Sequence, residues 1–377
     1  MADSAAIGGP MKKLNLKKYA DFILEEAVKL LAVDSPTGYT EGIADLVSKE
    51  FSELGYKPEK TVKGGILVKL SDGGSEKAEK GSTKTKGKAK TAPKGGLLLE
   101  AHADTLGGMV KTIKSDGRLA LTNLGGMNAN NAEAENVRVV TKFKGILEGT
   151  CQLVNASIHV NGKYDETKRE WGSMEIVLDE NVKSDKDVAK LGVSVGDIVC
   201  FEPRTRITKS GYIKSRFLDD KLSVAILLGY AKYLKEEKVS PDRDVWAYVT
   251  VYEEVGHGGS GSVPEGITEG ISVDMGCVGE GLTCTEHQVS ICAKDSGGPY
   301  SYEVVKGLVE AAKKAGADYS VDIYPFYGSD VEATLRAGHD IIHGLIGPGV
   351  YASHGYERSH RDGVESTLKL LIGYTVK

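Results

Sequence analysis

Five short motifs rich in aspartate, glutamate and histidine could together bind divalent metal ions. They lie at residues 101–104, 217–221, 252–256, 273–276 and 353–360. Carboxylate and imidazole groups are ligands that zinc and cobalt accept when a rigid scaffold holds them. Two metals that share a bridging carboxylate can bind a water molecule and polarise a carbonyl group at the same time. The pattern therefore predicts a hydrolase with a two-metal centre.

The first motif places a histidine directly after a mainly apolar run, residues 97–101, which is typical of a strand in a sheet covered on both faces. The carboxyl end of such a strand borders the ligand-binding crevice of an open α/β sheet. Asp104, two residues after His102, points to the same side of an extended segment. We therefore expect the Asp104 carboxylate to accept a hydrogen bond from His102 and fix its tautomer. Alone, His102 could instead be a hydrogen-bonded core histidine.

Paired acidic residues occupy the next two motifs. Asp219 and Asp220 begin an apolar helix, where capping of the helix N-terminus is the alternative explanation. Glu253 and Glu254 follow the apolar strand 246–251, and adjacent carboxylates there repel each other unless a cation holds them. One of these glutamates can bind metal while its neighbour transfers the proton of the bound water.

The last two motifs supply one more acid and a histidine. Asp274 ends the next predicted strand, on the same carboxyl edge, although it could simply start a loop. His354 and His360 are both candidates for the last ligand. The remaining histidines lack comparable acidic neighbours in the sequence, and we interpret them as structural or surface residues: His159, His257, His287, His339 and His343.

Composition excludes several classes of protein. The 48 basic and 53 acidic residues give a net charge of −5, which predicts no general attraction to nucleic acid or to an anionic membrane. No apolar run approaches the roughly 20 residues that span a bilayer, and the first residues lack a signal-peptide pattern. The five cysteines form no C-x-x-C pair, which argues against a disulfide framework or a thiolate zinc site. We expect a cytoplasmic protein.

The hydrophobic pattern predicts an α/β domain that a β-rich insertion interrupts. At 377 residues, two domains are expected. Helical periodicity occurs at 14–33, 40–54, 219–234 and 302–315, and apolar strands occur at 66–70, 97–101, 245–251 and 270–275. Short β-rich runs separated by glycine and charged turns predict a small barrel or sandwich. We assign residues 1–108 and 213–377 to the catalytic domain and 109–212 to the insertion.

The Lys-rich segment 71–95 interrupts the first of these domains. It is rich in Gly, Ser, Thr and Lys and almost without large apolar residues, so it cannot bury enough surface to fold alone. We interpret it as a mobile hairpin loop. A tether for an acidic partner is the alternative.

The motifs resemble metallopeptidase family 42, the glutamyl and deblocking aminopeptidases also called tetrahedral aminopeptidases. The sequence A-H-A-D-T-L-G at 101–107 is similar to the family's A-H-x-D-E-I-G, and L-D-D-K at 218–221 is similar to L-D-D-R. E-E-V-G at 253–256 is identical to the family motif, and G-S-D at 328–330 resembles G-T-D. The family pattern R-Y-x-H-S-x-x-E is altered near residues 351–357, where the histidine and serine are exchanged. The resemblance extends from about Leu14 to the C-terminus.

The resemblance implies a fold, a ligand set and a mechanism. It implies a central mixed sheet flanked by helices, with an inserted β-barrel-like dimerisation domain. It implies two divalent ions, with zinc favoured and cobalt or manganese as alternatives. By this resemblance, His102 and Asp274 would bind the first metal, and Glu254 and His354 the second, with His360 as the alternative histidine. Asp219 would bridge both metals, and the Asp219–Asp220 peptide bond would be cis. Glu253 would be the general base, and Asp104 would orient His102.

The resemblance implies a metal-dependent aminopeptidase that removes N-terminal residues from short peptides. Lys294 could pair with an acidic substrate side chain. Family members commonly form dimers that assemble into a hollow tetrahedral dodecamer, so we expect a homo-oligomer. A deacylase or carboxypeptidase acting on a small modified amino acid or dipeptide is the nearest alternative, because the same centre serves those reactions. A non-catalytic assembly protein on the same fold is the alternative from another class, and the complete ligand set with Glu253 argues against it.

Overall fold

The computed structural model describes residues 16–71 and 95–376, which form a mixed β-sheet with helices and a separate closed β-barrel. The helices are α1 (Lys17–Leu31), α2 (Glu41–Glu53), α3 (Asp185–Lys190), α4 (Leu218–Glu236), α5 (Tyr302–Ala315), α6 (Asp330–Arg336) and α7 (Arg361–Thr375). The strands are β1 (Glu59–Lys60), β2 (Ile66–Ser71), β3 (Gly96–His102), β4 (Gly107–Ile113), β5 (Leu119–Leu124), β6 (Glu135–Thr141), β7 (Gly145–Leu153), β8 (Met174–Leu178), β9 (Ile198–Phe201), β10 (Arg206–Ile207), β11 (Tyr212–Ser215), β12 (Val245–Thr250), β13 (Ile267–Val273), β14 (Gly276–Val278), β15 (Val289–Lys294), β16 (Tyr319–Ile323), β17 (Ile342–Tyr351) and β18 (Glu357–His360).

Four neighbouring strands of the sheet run parallel and bring their carboxyl ends to one edge. β12 pairs in parallel with β3, β3 with β13, and β13 with β17. Every residue of β3 is buried, as expected for a parallel strand that helices cover on both faces. The loops after these four strands therefore meet at the edge where sheets of this kind bind ligands.

Helices cover the two faces of the sheet. Successive side chains of β3 point to opposite faces and pack against the helices on each face. Leu99 packs in the cluster that includes residues of α1 and α4, whereas Leu98 packs in a second cluster with Val331 of α6. Helix α4 is buried over nearly its whole length, because α1 and α7 pack against it from outside. The apolar face of α1 predicted from its periodicity is the face that is buried.

The β-barrel is a closed antiparallel element with the strand order β4-β5-β8-β7-β6-β9. The chain enters it after β3 and leaves it before α4, so the barrel interrupts the α/β unit. Along β6, fully buried residues alternate with less buried ones, as expected when one side of a strand faces a barrel interior. The predicted fold, a mixed sheet with helices and an inserted β-barrel, is confirmed.

The predicted helices and strands are present with boundaries that differ by a few residues. The sequence pattern did not define β15 to β18 or α6. Residues 72–94 of the predicted mobile loop lie outside the described residues. Among the helices of residues 16–71 and 95–376, none has the length and apolar character needed to cross a membrane.

Candidate metal centre

The loops after three parallel strands carry the predicted ligands to one place. His102 is the last residue of β3, Asp274 follows β13, and Glu253 and Glu254 lie in a short 3-10 turn after β12. Tyr252, which joins β12 to this turn, has a left-handed backbone with φ of 68°. Because the strands are parallel and adjacent, these side chains meet at the carboxyl edge, as their positions in the sequence predicted.

Asp219 lies between the two histidines of the centre. Its Oδ1 is 3.0 Å from His102 Nε2, and its Oδ2 is 3.5 Å from His354 Nε2. The Asp219–Asp220 peptide bond is cis, as the family resemblance implied. Burial alone would raise the pKa of Asp219, but the hydrogen bonds from His102 and His354 outweigh this effect and hold the pKa below its usual range. An ionised carboxylate with one oxygen toward each histidine is suited to bridge two cations.

The described residues contain two overlapping groups that could each hold an ion. His102, Asp219 and Asp274 place one ligand atom each within 4.8 Å of one another, and Asp219, Glu254 and His354 do the same. Asp219 belongs to both groups. Glu254 Oε2 lies 3.7 Å from His354 Nε2, which completes the second set.

The buried acids of this site fit positively charged ions. Glu254 Oε1 and Asp220 Oδ1 are buried without a hydrogen-bond partner. Burial and then the neighbouring Asp219 charge raise the pKa of Asp274 to about 7. Burial likewise raises the pKa of Glu254 well above its ordinary value. Divalent ions would offset this cost of burying carboxylates together, and the donor set of imidazole and carboxylate is one that zinc accepts.

Asp104 contacts its neighbours differently from the prediction. His102 Nδ1 lies 2.9 Å from the backbone carbonyl oxygen of Asp104, which fixes the tautomer, whereas the Asp104 carboxylate lies 3.7 Å from that nitrogen. The carboxylate instead accepts hydrogen bonds from the Thr37 hydroxyl at 2.6 Å and from the Glu253 N–H at 3.0 Å. Asp104 therefore positions the backbone of Glu253, because the turn after β12 lies against it.

The structure separates the two candidates for the last histidine. His354 follows β17 and reaches Asp219 and Glu254, as described above. His360 ends β18, where its Nε2 donates to the Ser210 carbonyl at 2.8 Å and its Nδ1 accepts the N–H of Asp362 at 3.1 Å. The geometry therefore brings His354, and not His360, into the centre.

Contacts with three residues that the sequence did not reveal hold the loop of His354. The Asn131 amide, from the turn before β6, donates to the His354 carbonyl at 3.1 Å, and the Gly126 carbonyl lies 3.3 Å from His354 Nδ1. The Glu357 carboxylate accepts the N–H of His354 with one oxygen and the N–H of Asp219 with the other, each at 3.1 Å. The only signal for Glu357 was its register with the final glutamate of the family motif.

A cavity of about 660 Å³ opens beside these residues. Its wall is formed by the centre and by the loops around α6, and it includes Asp219, Glu253, Glu254, Gly256, Gly258, Asp274, Met275, Cys277, Ser296, Phe326, Tyr327, Gly328, Ser329, Asp330, Ala333, Arg336, Ser353 and His354. Lys294 is not part of this wall, since its Nζ donates to the Asp295 carbonyl at 2.8 Å. The side chain at the end of β15 turns back onto its own loop, and Arg336 is the cation of the wall instead.

The loop after Glu254 lines part of the cavity, and hydrogen bonds from Lys63 hold it in place. Lys63 Nζ donates to the carbonyl oxygens of His257 and Gly258 and lies 3.3 Å from Ser260 Oγ. A Cβ at Gly258 would lie 1.6 Å from Asp330 Oδ1, so only glycine fits above that carboxylate. Lys63 and Gly258 thus fix the segment that follows the two glutamates.

Comparison with known proteins finds similar sequences over most of the chain. Residues 82–370 match the M42 glutamyl aminopeptidase family. A Bacillus subtilis protein provisionally named aminopeptidase YhfE is 39% identical over 351 residues, which cover 93% of this chain and 96% of that protein.

Solved structures share the fold at low identity. The Pyrococcus horikoshii TET1 peptidase, described as assembling into a tetrahedron or a large octahedral shell, superposes with a TM-score of 0.79 at 21% identity, covering 94% of this chain and 99% of the other. A TET aminopeptidase from a marine sediment Thaumarchaeota archaeon gives 0.80 at 17% identity, with 94% and 96% covered. These two likenesses concern the fold alone.

Proposed function

The chain belongs to the M42 glutamyl aminopeptidase family, and from this premise we propose that it is a dinuclear metal-dependent aminopeptidase that removes N-terminal residues from short peptides. The observation that carries the proposal is the position of Asp219, with one carboxylate oxygen toward His102 and the other toward His354. A single buried carboxylate between two imidazoles, each with a further acid beside it, is the arrangement that two bridged ions require.

The residues that would hold the ions divide into two sets. His102 and Asp274 would bind one ion, Glu254 and His354 the other, and Asp219 both. When bound, the ions would activate a water molecule and polarise the scissile carbonyl. Zinc is the favoured metal, with cobalt and manganese as alternatives that accept the same ligands.

Glu253 is placed to move the proton. Its carboxylate forms part of the cavity wall, and Oε2 lies 3.7 Å from His102 Nε2. Burial raises the pKa of Glu253 well above its ordinary value, which suits a group that must accept a proton and later release it near neutral pH. Glu253 would take the proton of the attacking water and return it to the leaving amine. Asp104, which accepts the Glu253 N–H, acts as a positioning residue.

The test is a panel of aminoacyl substrates with free and with N-acetylated amines. Metal-stripped full-length protein would receive zinc, cobalt or manganese, and hydrolysis would be measured for glutamyl, leucyl and lysyl members of both sets. We expect metal-dependent cleavage of the free-amine set alone. Cleavage confined to acetylated substrates would assign a deacylase, and no cleavage with any of these metals would favour a non-catalytic assembly protein.

We further propose that residues 109–212 form a dimerisation domain and that residues 1–108 and 213–377 form the catalytic domain. Phe143 and Ile146, at the turn between β6 and β7, are 89% and 54% exposed, which is unusual for apolar side chains of that size unless another surface covers them. Homo-oligomers built from such dimers, up to a dodecamer, are the expected form. Light scattering of the full chain checks this, and the mass of a single chain would contradict it.

A further inference from the structure

Two histidines and an aspartate converge at the start of α7, away from the cavity wall. His287 lies in the turn before β15, His360 ends β18, and Asp362 lies in the first turn of α7. Oδ2 of Asp362 is 2.9 Å from His287 Nδ1 and 3.3 Å from His360 Nδ1. One ligand atom from each residue lies within 4.8 Å of the other two. Three separate segments of the chain thus bring metal-binding atoms to one point.

The outer nitrogens of both imidazoles have hydrogen-bond partners of their own. His360 Nε2 donates to the Ser210 carbonyl at 2.8 Å, which leaves the lone pair of its Nδ1 directed toward Asp362. His287 Nε2 lies 3.4 Å from the Tyr212 hydroxyl, which can accept its proton. Histidines that bind metal commonly donate their second N–H to a carbonyl or hydroxyl in this way. These bonds orient both imidazole rings so that their Nδ1 atoms face the Asp362 carboxylate, where a metal ion could bind.

Access to this point is open on one side. The side chains of His287 and Asp362 are 40% and 60% exposed, whereas that of His360 is 8% exposed. The neighbouring charges are balanced, because the Arg358 guanidinium stacks on the Tyr212 ring and pairs with Glu286 at 3.0 Å. A cation entering from solvent would displace two hydrogen bonds, that of the Asp362 N–H to His360 Nδ1 and that between His287 Nδ1 and the Asp362 carboxylate.

We propose that His287, His360 and Asp362 bind a divalent metal ion, of which zinc fits best, at a site separate from the catalytic centre. Two imidazoles and one carboxylate with an open fourth position are a ligand set that zinc accepts. The ion would join β18 and α7 to the turn before β15. Glu357, at the other end of β18, holds the backbone of Asp219 and His354, so the ion would brace the strand that positions the catalytic loops.

The experiment compares zinc bound per chain in full-length wild-type protein and two variants. His287→Ala removes one ligand of the site, and His159→Ala is the matched control, an exposed histidine in the segment between β7 and β8. After equilibrium dialysis against micromolar zinc near neutral pH, metal analysis should show one equivalent less for His287→Ala and no change for His159→Ala. Equal zinc contents in all three proteins would overturn the proposal.

A second variant separates ligand loss from misfolding. Asp362→Asn keeps the size of the side chain, and it should also lose one equivalent of zinc while retaining the far-ultraviolet circular dichroism of the wild type. The added stability that zinc gives to thermal unfolding should be smaller in both site variants than in His159→Ala. Failure of the proposed catalytic centre would instead lower the zinc content of all these proteins alike.

Discussion

Glu357→Gln tests how the fold holds the two halves of the metal centre. The two oxygens of the Glu357 carboxylate accept different N–H groups, those of Asp219 and His354, each at 3.1 Å. Glutamine has the same size but only one acceptor oxygen. Whichever way the amide turns, one N–H faces an NH₂ group and loses its acceptor. The variant therefore breaks one of the two contacts without opening a cavity.

The magnitude follows from the kind of bond that is lost. A buried N–H group left without an acceptor costs about 1–3 kcal/mol, and Glu357 is only 2% exposed, so water does not replace the lost acceptor. Because about 1.4 kcal/mol corresponds to a tenfold change in an equilibrium constant, we expect metal affinity to fall about 10- to 100-fold. Turnover at saturating metal should stay within several-fold of wild type, since Glu357 contacts no reacting atom.

Competition with a chromophoric chelator measures the affinity, and activity as a function of free zinc gives an independent value. Glu303→Gln, an exposed glutamate in the first turn of α5, is the control for loss of one negative charge. The reasoning is refuted if Glu357→Gln binds zinc as tightly as Glu303→Gln. It is also refuted if turnover is lost while zinc affinity is unchanged.

Three further predictions concern residues around the cavity. Lys63→Met removes the cation that donates to two carbonyl groups of the loop after the glutamates. Since charged hydrogen bonds contribute about 1.5–3 kcal/mol each, kcat/KM should fall at least about tenfold, with the zinc content unchanged. Asn131→Ala removes the bond to the His354 carbonyl, and the free zinc needed for half-maximal activity should rise about fivefold. Burial and then the hydrogen bond with Asp295 raise the pKa of Glu332 from 4.5 to about 7 in the folded chain, so its contribution to stability is lost as pH rises through this interval. Glu332→Gln has no such proton to lose. The thermal midpoint of the variant should therefore rise relative to that of wild type as the pH increases from 4.5 to about 7, and the difference should stay constant at higher pH.

The sequence was sufficient to predict which acidic and histidine residues meet at the carboxyl edge of the parallel strands. His102 and Asp274 directly end or follow buried strands, and Glu254 follows another after a short turn. Parallel strands bring such positions to one edge whatever the loops do, so their assembly could be predicted. The same logic predicted the α/β class and the inserted barrel, because periodicity of apolar residues decides both.

Contacts that depend on side-chain direction in loops could not be predicted. Lys294 ends β15, which runs antiparallel to β17, and its side chain donates to the Asp295 carbonyl, whereas Arg336 of α6 lines the cavity. His354 and His360 lie in one short motif, and only the turn after β17 decides which faces Asp219. The Asp104 carboxylate bonds Thr37, a residue far away in sequence, because packing brings that segment against β3.

The general base is the centre of the proposed mechanism, and Glu253→Gln tests it most directly. Turnover of a free-amine aminoacyl substrate and the number of bound metal ions should be measured on the same zinc-loaded sample. The account predicts that turnover falls at least 100-fold, because general base catalysis contributes about 10²–10⁴-fold. It also predicts that the zinc content equals that of wild type, since Glu253 is not among the residues assigned to either ion. Near-normal turnover, or loss of zinc together with activity, would contradict the assignment of Glu253 as the base.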